Sequence, residues 1–257
     1  MTEEKHGYVT IEHNDGIASI EFFHPQSNSL PRKLLGELAR AIHGEGQNEK
    51  TKVIILRSSG KVFCAGASFD ELAAINSEEE GLRFFSGFAE VINAMRKVPK
   101  FIIARIHGKC VGGGVGLAAS ADYAIAVEGS DIKLSELPVG IGPFVVGPPV
   151  ERKLGLSAFS QLAIDGTMWR SADWARRKGL FAELHADIAG VDDSIKRLST
   201  TLSQSSPEAM KEIKKVFWKG TEHWDELLME RAGMSGRLIL SDYSKNFIKE
   251  FKEKQKK

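Results

Sequence analysis

Residues 103–117 read I-A-R-I-H-G-K-C-V-G-G-G-V-G-L, the most informative stretch of the chain. A strand-like apolar run passes Gly108, reaches Gly112-Gly113-Gly114 and gives way to a short helical pattern. Glycine is suited to places where the backbone must approach another group closely or take a positive φ. Three glycines at the mouth of a helix leave unsatisfied N–H donors exposed at the positive end of its dipole. Such a mouth suits an anion, or an oxygen that becomes one. A lone cluster of this kind fits the tight packing of a turn against a sheet equally well.

A second segment of the same kind lies upstream. Residues 53–72 read V-I-I-L-R-S-S-G-K-V-F-C-A-G-A-S-F-D-E-L, a strand-like run ending in Ala65-Gly66-Ala67 before a helix start over 68–72. Two such turns can aim two N–H groups at one oxygen, the geometry of an oxyanion hole. Gly114-x-Gly116-x-x-Ala119 also fits a loose dinucleotide-binding pattern. It fails on length, because few residues separate Gly116 from the next strand-like run at 123–127, and a parallel crossover takes about a dozen. No G-x-x-x-x-G-K-[ST] phosphate loop occurs.

Taken together, the two segments resemble the crotonase superfamily of enoyl-CoA hydratases and isomerases. The likeness runs over nearly the whole chain. It covers the strand pair 8–12 and 17–22, His24-Pro25, Asn28-Ser29-Leu30, F-C-A-G-A, G-G-G-V-G-L-A-A-S-A-D, L-S-E-L-P-V-G-I-G and E-R-K-L-G. The resemblance implies an α/β fold, a spiral of repeated β-β-α turns with a C-terminal helical region used for trimer assembly. Residues 1–200 would form the spiral core and 201–257 the helical region. A homotrimer or a dimer of trimers is implied, acting on an acyl-CoA thioester and needing no cofactor beyond that substrate.

Composition agrees. A 257-residue chain with 42% hydrophobic residues can bury a sizeable core. A formal net charge of +1 argues against general binding to nucleic acid or to a membrane surface. Cys64 and Cys110 lie one in each glycine-rich turn; they make no secreted disulfide framework and read as small packing residues. No apolar run approaches a membrane span. The opening M-T-E-E-K-H-G lacks the apolar core of a signal peptide, so the cytoplasm is the expected location.

Along the chain, Asn14-Asp15-Gly16 between alternating runs predicts a hairpin. Leu34, Leu35, Leu38, Ala41 and Ile42 share one helical face, and Phe84, Phe85, Phe88, Val91, Ile92 and Met95 share another; both read as core. Pro99 ends the second helix before a central strand at 101–106. Beyond residue 145 strand signals fade, and helices are predicted over 157–165, 172–178, 191–202 and 207–218. The tail from 245 to 257 holds six lysines against two glutamates, a solvated helix end or a contact for CoA phosphates.

The chemistry turns on carboxylates. Forming an enolate from a thioester needs an acid–base group beside the α-carbon and donors on the carbonyl oxygen. Many hydratases of the resembled family carry two glutamates, the first two residues after the G-G-G triplet and the second in the following strand-loop. Here the first position is Gly116 and the second is Glu136. One carboxylate suits the Δ3,Δ2-enoyl-CoA isomerases, in which it carries a proton from C2 to C4. An enoyl-CoA hydratase working with one glutamate and a non-catalytic acyl-CoA-binding protein are the alternatives. Neither Asp70, Glu71 nor His107 can be placed from sequence as a second acid–base group.

The resemblance implies Glu136 as proton shuttle and the backbone N–H groups of Ala67 and Gly113 as oxyanion donors. It implies CoA or acyl contacts from Ala65, Ser68, Phe69, Asp70, Gly112, Gly116, Phe144, Phe247 and Lys249, with Lys252 a second candidate in the tail. Phe144 replaces the further carboxylate of some dienoyl-CoA isomerases and dehalogenases. The Pro-Gly-x-Gly-Gly loop common after the glutamate has become Gly142-Pro143-Phe144-Val145-Val146-Gly147, so the acyl preference is not inherited. No metal site is expected.

Overall fold

The computed structural model describes residues 6–255. Its main sheet has six strands in the order β1-β2-β4-β6-β8-β10. β1 (Tyr8–Asn14) and β2 (Ile17–Phe23) form the predicted antiparallel hairpin, with Asn14 opposite Ile17. Asp15 and Gly16 turn the chain at φ 46° and 81°, the left-handed pair that a two-residue hairpin loop demands. Every later pairing in the sheet is parallel: β2 to β4 (Val53–Ser58), β4 to β6 (Phe101–Ile106), β6 to β8 (Tyr123–Val127) and β8 to β10 (Glu183–His185).

Parallel strands need both faces covered, and the alternation of side chains supplies two cores. Ile54, Leu56, Ile102, Ala104 and Ile106 belong to the large core, which also takes Leu34, Leu35, Leu38 and Ile42 of α1 (Arg32–Gln47). Phe84, Phe85, Phe88, Val91, Ile92 and Met95 of α3 (Glu78–Lys97) complete that side. Val53, Ile103 and Ile125 face the opposite way, onto Val191 and Ile195 of α7 (Ile188–Ser203). α3 starts where its sequence says it should. Ser77 Oγ accepts from the Glu80 N–H at 3.2 Å, Glu80 Oε2 accepts from the Asn76 N–H at 2.7 Å, and three glutamates fill the first turn.

Two short parallel pairs stand apart from the main sheet. β3 (Ser29–Leu30) pairs with β5 (Gly66–Ala67), and β7 (Cys110–Val111) pairs with β9 (Ile132–Lys133). A parallel bridge between Cys64 and Cys110 joins them. The Val111 N–H donates to the Cys64 carbonyl at 2.9 Å, and the Phe63 N–H to the Lys109 carbonyl at 3.1 Å. The two glycine-rich turns are therefore held together by main-chain hydrogen bonds.

The C-terminal half differs from expectation in two places. β10 is a strand in the region expected to be helical; at three residues carrying Glu183 and His185 it has no apolar alternation to betray it. The helix expected over 157–165 belongs to α5, Gly147–Ile164, which starts ten residues earlier and breaks at Gly155 (φ 77°). Pro148 and Pro149 fit its first turn, where a missing N–H costs nothing. α6 (Ala172–Arg177) and α8 (Pro207–Phe217) fall where predicted. α9 (Trp224–Leu238) and α10 (Asp242–Gln255) close the chain. Trp224, Leu228, Ala232 and Ile248 from these last helices share the large core with residues of β2, α1 and α3, on both sides of residue 200.

Candidate active site

The two turns meet in space because only glycine allows it. Gly66 sits at φ 87°, and a Cβ there would lie 2.8 Å from the Val111 carbonyl oxygen and 3.2 Å from the Gly113 nitrogen. Gly112 caps α4 (Gly113–Ser120) at φ 51°, and a Cβ there would lie 2.8 Å from Glu136 Oε1. The start of α4 is thus wedged between the first turn and the carboxyl of Glu136. Gly113 occupies the first helical position, whose N–H has no acceptor within the helix.

Two neighbouring cavities open here. The inner one, of about 60 Å³, is lined by Gly112, Gly113 and Glu136 together with Leu72, Phe85, Phe88, Val139, Ile141, Phe144, Val145 and Val146. The outer one, of about 590 Å³, is lined by Gln26, Asp70, Lys133, Phe247, Phe251 and Lys252 among others. Ala65, Ala67, Phe69, Ser135 and Val139 belong to both, which makes them the passage between a large polar-mouthed chamber and a small apolar one.

Glu136 is the only carboxyl among the residues lining the inner cavity. It stands between β9 and the short 3₁₀ turn Leu137–Val139, where Pro138 stiffens the backbone beyond it. Its Oε2 is sealed from solvent and has no hydrogen-bond partner among the described residues. Burial pushes its pKa up from 4.5 to about 7, opposed only by its own backbone N–H. A carboxyl poised near neutrality can both take and return a proton, which is what general acid–base catalysis asks of it.

The other candidates sort clearly. Ala65, Ala67, Phe69, Gly112, Gly113 and Phe144 line the inner cavity, and Asp70 and Phe247 line the outer one. Ser68, Gly116 and Lys249 line neither. Ser68 is buried and its Oγ caps α2 (Phe69–Ala74) by accepting the Glu71 N–H. Lys249 is exposed on α10, and Lys252, nearly one turn further on, reaches the cavity instead. Gly116 is packed from behind: a Cβ there would lie 2.5 Å from Val146 Cγ1. The space a longer side chain would cross is occupied by valine.

No second acid–base group enters the inner cavity from the three residues left open by sequence. Glu71 Oε2 accepts the Arg32 N–H at 2.7 Å at the start of α1. His107 Nε2 pairs with the Gly60 carbonyl at 3.0 Å. Asp70 accepts from Gln26 Nε2 at 2.7 Å and pairs with Lys252 Nζ at 2.7 Å, contacts that hold its carboxyl below the usual range. Cys64 and Cys110 are buried free thiols; burial pushes Cys64 up to about 12 and Cys110 also well above its ordinary value, so both are neutral packing groups.

Sequence reasoning missed several of the lining residues. Phe85 and Phe88 were read as core; they are, and they also line the cavity. Ser235 of α9 and Phe251 of α10 carry no local motif, and only the folding back of the C-terminal helices brings them to the site. Phe251 stacks on Phe69 with ring centroids 4.4 Å apart, fixing α10 over the outer cavity. Among the described residues no cluster of three or more His, Cys, Asp or Glu could hold a metal, and no helix is long and apolar enough to cross a membrane.

Known proteins share this arrangement of sequence and backbone. The family model described as enoyl-CoA hydratase/isomerase matches residues 12–257. A probable enoyl-CoA hydratase of Bacillus subtilis (strain 168) is 26% identical over 250 residues, covering 96% of each chain. A peroxisomal Δ(3,5)-Δ(2,4)-dienoyl-CoA isomerase of Arabidopsis thaliana is 25% identical over 210 residues, 76% of this chain and 74% of that protein. The crystal structure of an enoyl-CoA hydratase from Bacillus halodurans superposes with a TM-score of 0.87 at 21% identity, covering 95% of this chain and 99% of the other, a likeness of fold. With the model match spanning all but the first eleven residues, the chain belongs to the enoyl-CoA hydratase/isomerase family and is an enzyme of hydratase or isomerase type with the crotonase fold.

Proposed function

We propose that this enzyme is a Δ3,Δ2-enoyl-CoA isomerase in which Glu136 alone moves the proton. The observation that carries this reading is the solitude of that carboxyl in the inner cavity, with Val146 packed against Gly116 where a hydratase of the resembled family places its first glutamate. In the proposed reaction, ionised Glu136 removes a proton from C2 of a 3-enoyl thioester. The electron pair delocalises onto the thioester oxygen, which the N–H groups of Ala67 and Gly113 hold. Protonated Glu136 then delivers the same proton to C4, leaving the double bond between C2 and C3. No water is consumed, and the apolar walls supplied by Phe85, Phe88 and Val145 suit a step from which water should be kept out.

The outer cavity takes the CoA moiety in this reading. Phe69, Phe247 and Phe251 offer flat apolar surface to an adenine ring, and Lys133 and Lys252 offer cationic charge to phosphates. Hydration is the second reading, favoured by the likeness to the probable enoyl-CoA hydratase of B. subtilis. It asks Glu136 both to activate a water and to relay a proton, in a cavity with no other carboxyl. The deciding experiment compares, on one preparation, conversion of a 3-enoyl-CoA to its 2-enoyl isomer with hydration of crotonyl-CoA. Isomerisation at least ~10-fold faster supports the proposal, and hydration faster than isomerisation refutes it. Self-association as a trimer or dimer of trimers is proposed as well. Exposed Val216 and Phe217 on α8 and Leu156 and Ile164 on α5 are apolar surface that assembly would bury, and sedimentation velocity tests it.

A further inference from the structure

The inner cavity is an order of magnitude smaller than the outer one, about 60 Å³ against about 590 Å³. Its size follows from what stands behind its walls. α3 and α9 cross in direct backbone contact, so that a Cβ on Gly81 would lie 2.6 Å from the Cα of Gly236. Phe85 stands one turn after Gly81, and Ser235 is the neighbour of Gly236; both line the cavity. The deep end therefore backs onto a helix crossing with no gap for an alkyl chain. On the remaining sides the Phe144 ring folds back to 2.6 Å from where a Cβ of Gly142 would lie, and Val146 is pressed against Gly116.

We propose that this enzyme is confined to short acyl groups, with Phe144 and Val146 as the residues that set the limit. The inference rests on the reading of the inner cavity as the acyl site, with the carbonyl oxygen at Ala67 and Gly113. From that point the α3–α9 crossing closes the deep end. A ten-carbon chain must either displace the Phe144 loop or fold back into the outer cavity, where it competes with the CoA moiety. Both routes cost affinity.

The test is calorimetric titration of the full-length protein with butyryl-, hexanoyl-, decanoyl- and tetradecanoyl-CoA, which reads the size limit without relying on turnover. Decanoyl-CoA is expected to bind about ten- to a hundredfold more weakly than hexanoyl-CoA, the penalty of overfilling a packed site. Phe144→Ala and, separately, Val146→Ala should each narrow that ratio to about threefold or less. Decanoyl-CoA binding as tightly as hexanoyl-CoA to the unaltered protein overturns the limit. Discrimination unchanged in both folded variants overturns the assignment of those walls. Isomerisation of 3-hexenoyl-CoA is assayed alongside: its absence with the affinity series intact refutes the catalytic proposal and leaves the size limit standing.

Discussion

Replacing Glu136 by glutamine keeps the side chain's shape and removes its charge, and the structure dictates what this does to stability. Burial holds the carboxyl at about 7 against an ordinary 4.5, so the folded protein keeps a proton that the unfolded chain has already lost. A carboxyl with a raised folded pKa opposes folding as pH rises through this window, and the penalty is complete above about pH 7. With 1.36 kcal/mol for each pKa unit, the wild-type penalty is about 3 kcal/mol at pH 8 and about 1 kcal/mol at pH 5. Glutamine carries no such term. The variant should therefore gain on the wild type by about 2 kcal/mol between pH 5 and pH 8, or about 4–8 °C in Tm for a chain of this length. Paired thermal melts across pH 4–8.5 at constant ionic strength make the measurement, since any fixed cost of burying an amide cancels in the pH dependence. A Tm difference that stays flat over this range would mean that Glu136 is not desolvated, and the argument for its role as a neutral-pH proton shuttle would go with it.

In the same variant, turnover should fall at least ~100-fold while CoA-ester binding persists, as expected on removing a general acid–base group. The wild-type rate should rise with pH through about 7, because the first step needs the ionised carboxyl; a profile level from pH 5 to 9 would contradict this. Gly116→Glu alone should not raise hydration of crotonyl-CoA, since its Cβ would already meet Val146; the double variant Gly116→Glu/Val146→Gly should raise it, and equal hydration rates would refute the steric account. Lys214→Met should destabilise the fold by about 3 kcal/mol, seen in denaturant midpoints, because it removes the cation that Lys214 Nζ sets 2.8 Å from the buried Asp122 carboxylate and leaves that charge only the N–H groups of Ile102 and Trp218. Ser68→Ala should cost about 1 kcal/mol through loss of the α2 cap, with little change in KM because Ser68 lines neither cavity.

Much of this molecule is legible in local pattern. The strands at 101–106 and 123–127 match the predicted bounds because their apolar runs are short and bracketed by Pro99, Gly108 and the turn after Ala121. The faces of α1 and α3 follow from 3.6-residue periodicity, and the two turns from their glycines. What escaped is what depends on distant chain. β10 needs β8 beside it to be a strand at all. Ser235 and Phe251 reach the cavities only because α9 crosses α3 at Gly81 and Gly236 and Phe251 stacks on Phe69. The raised pKa of Glu136 is a property of enclosure by segments as far apart as Leu72 and Ser235, and no motif around residue 136 encodes it.

The bridge between Cys64 and Cys110 gives the two turns a shared fate. Because Val111 hangs from the Cys64 carbonyl and Phe63 from that of Lys109, neither loop can drift without dragging the other, and the spacing of the two turns beside the cavity is set by backbone register. The pair behaves as one machined part, cut from two pieces of sequence some forty-five residues apart. Bulky replacements at either buried cysteine should therefore silence the enzyme from a position that lines neither cavity, and a screen that reads only cavity-lining residues would overlook two positions whose backbone holds that part in register.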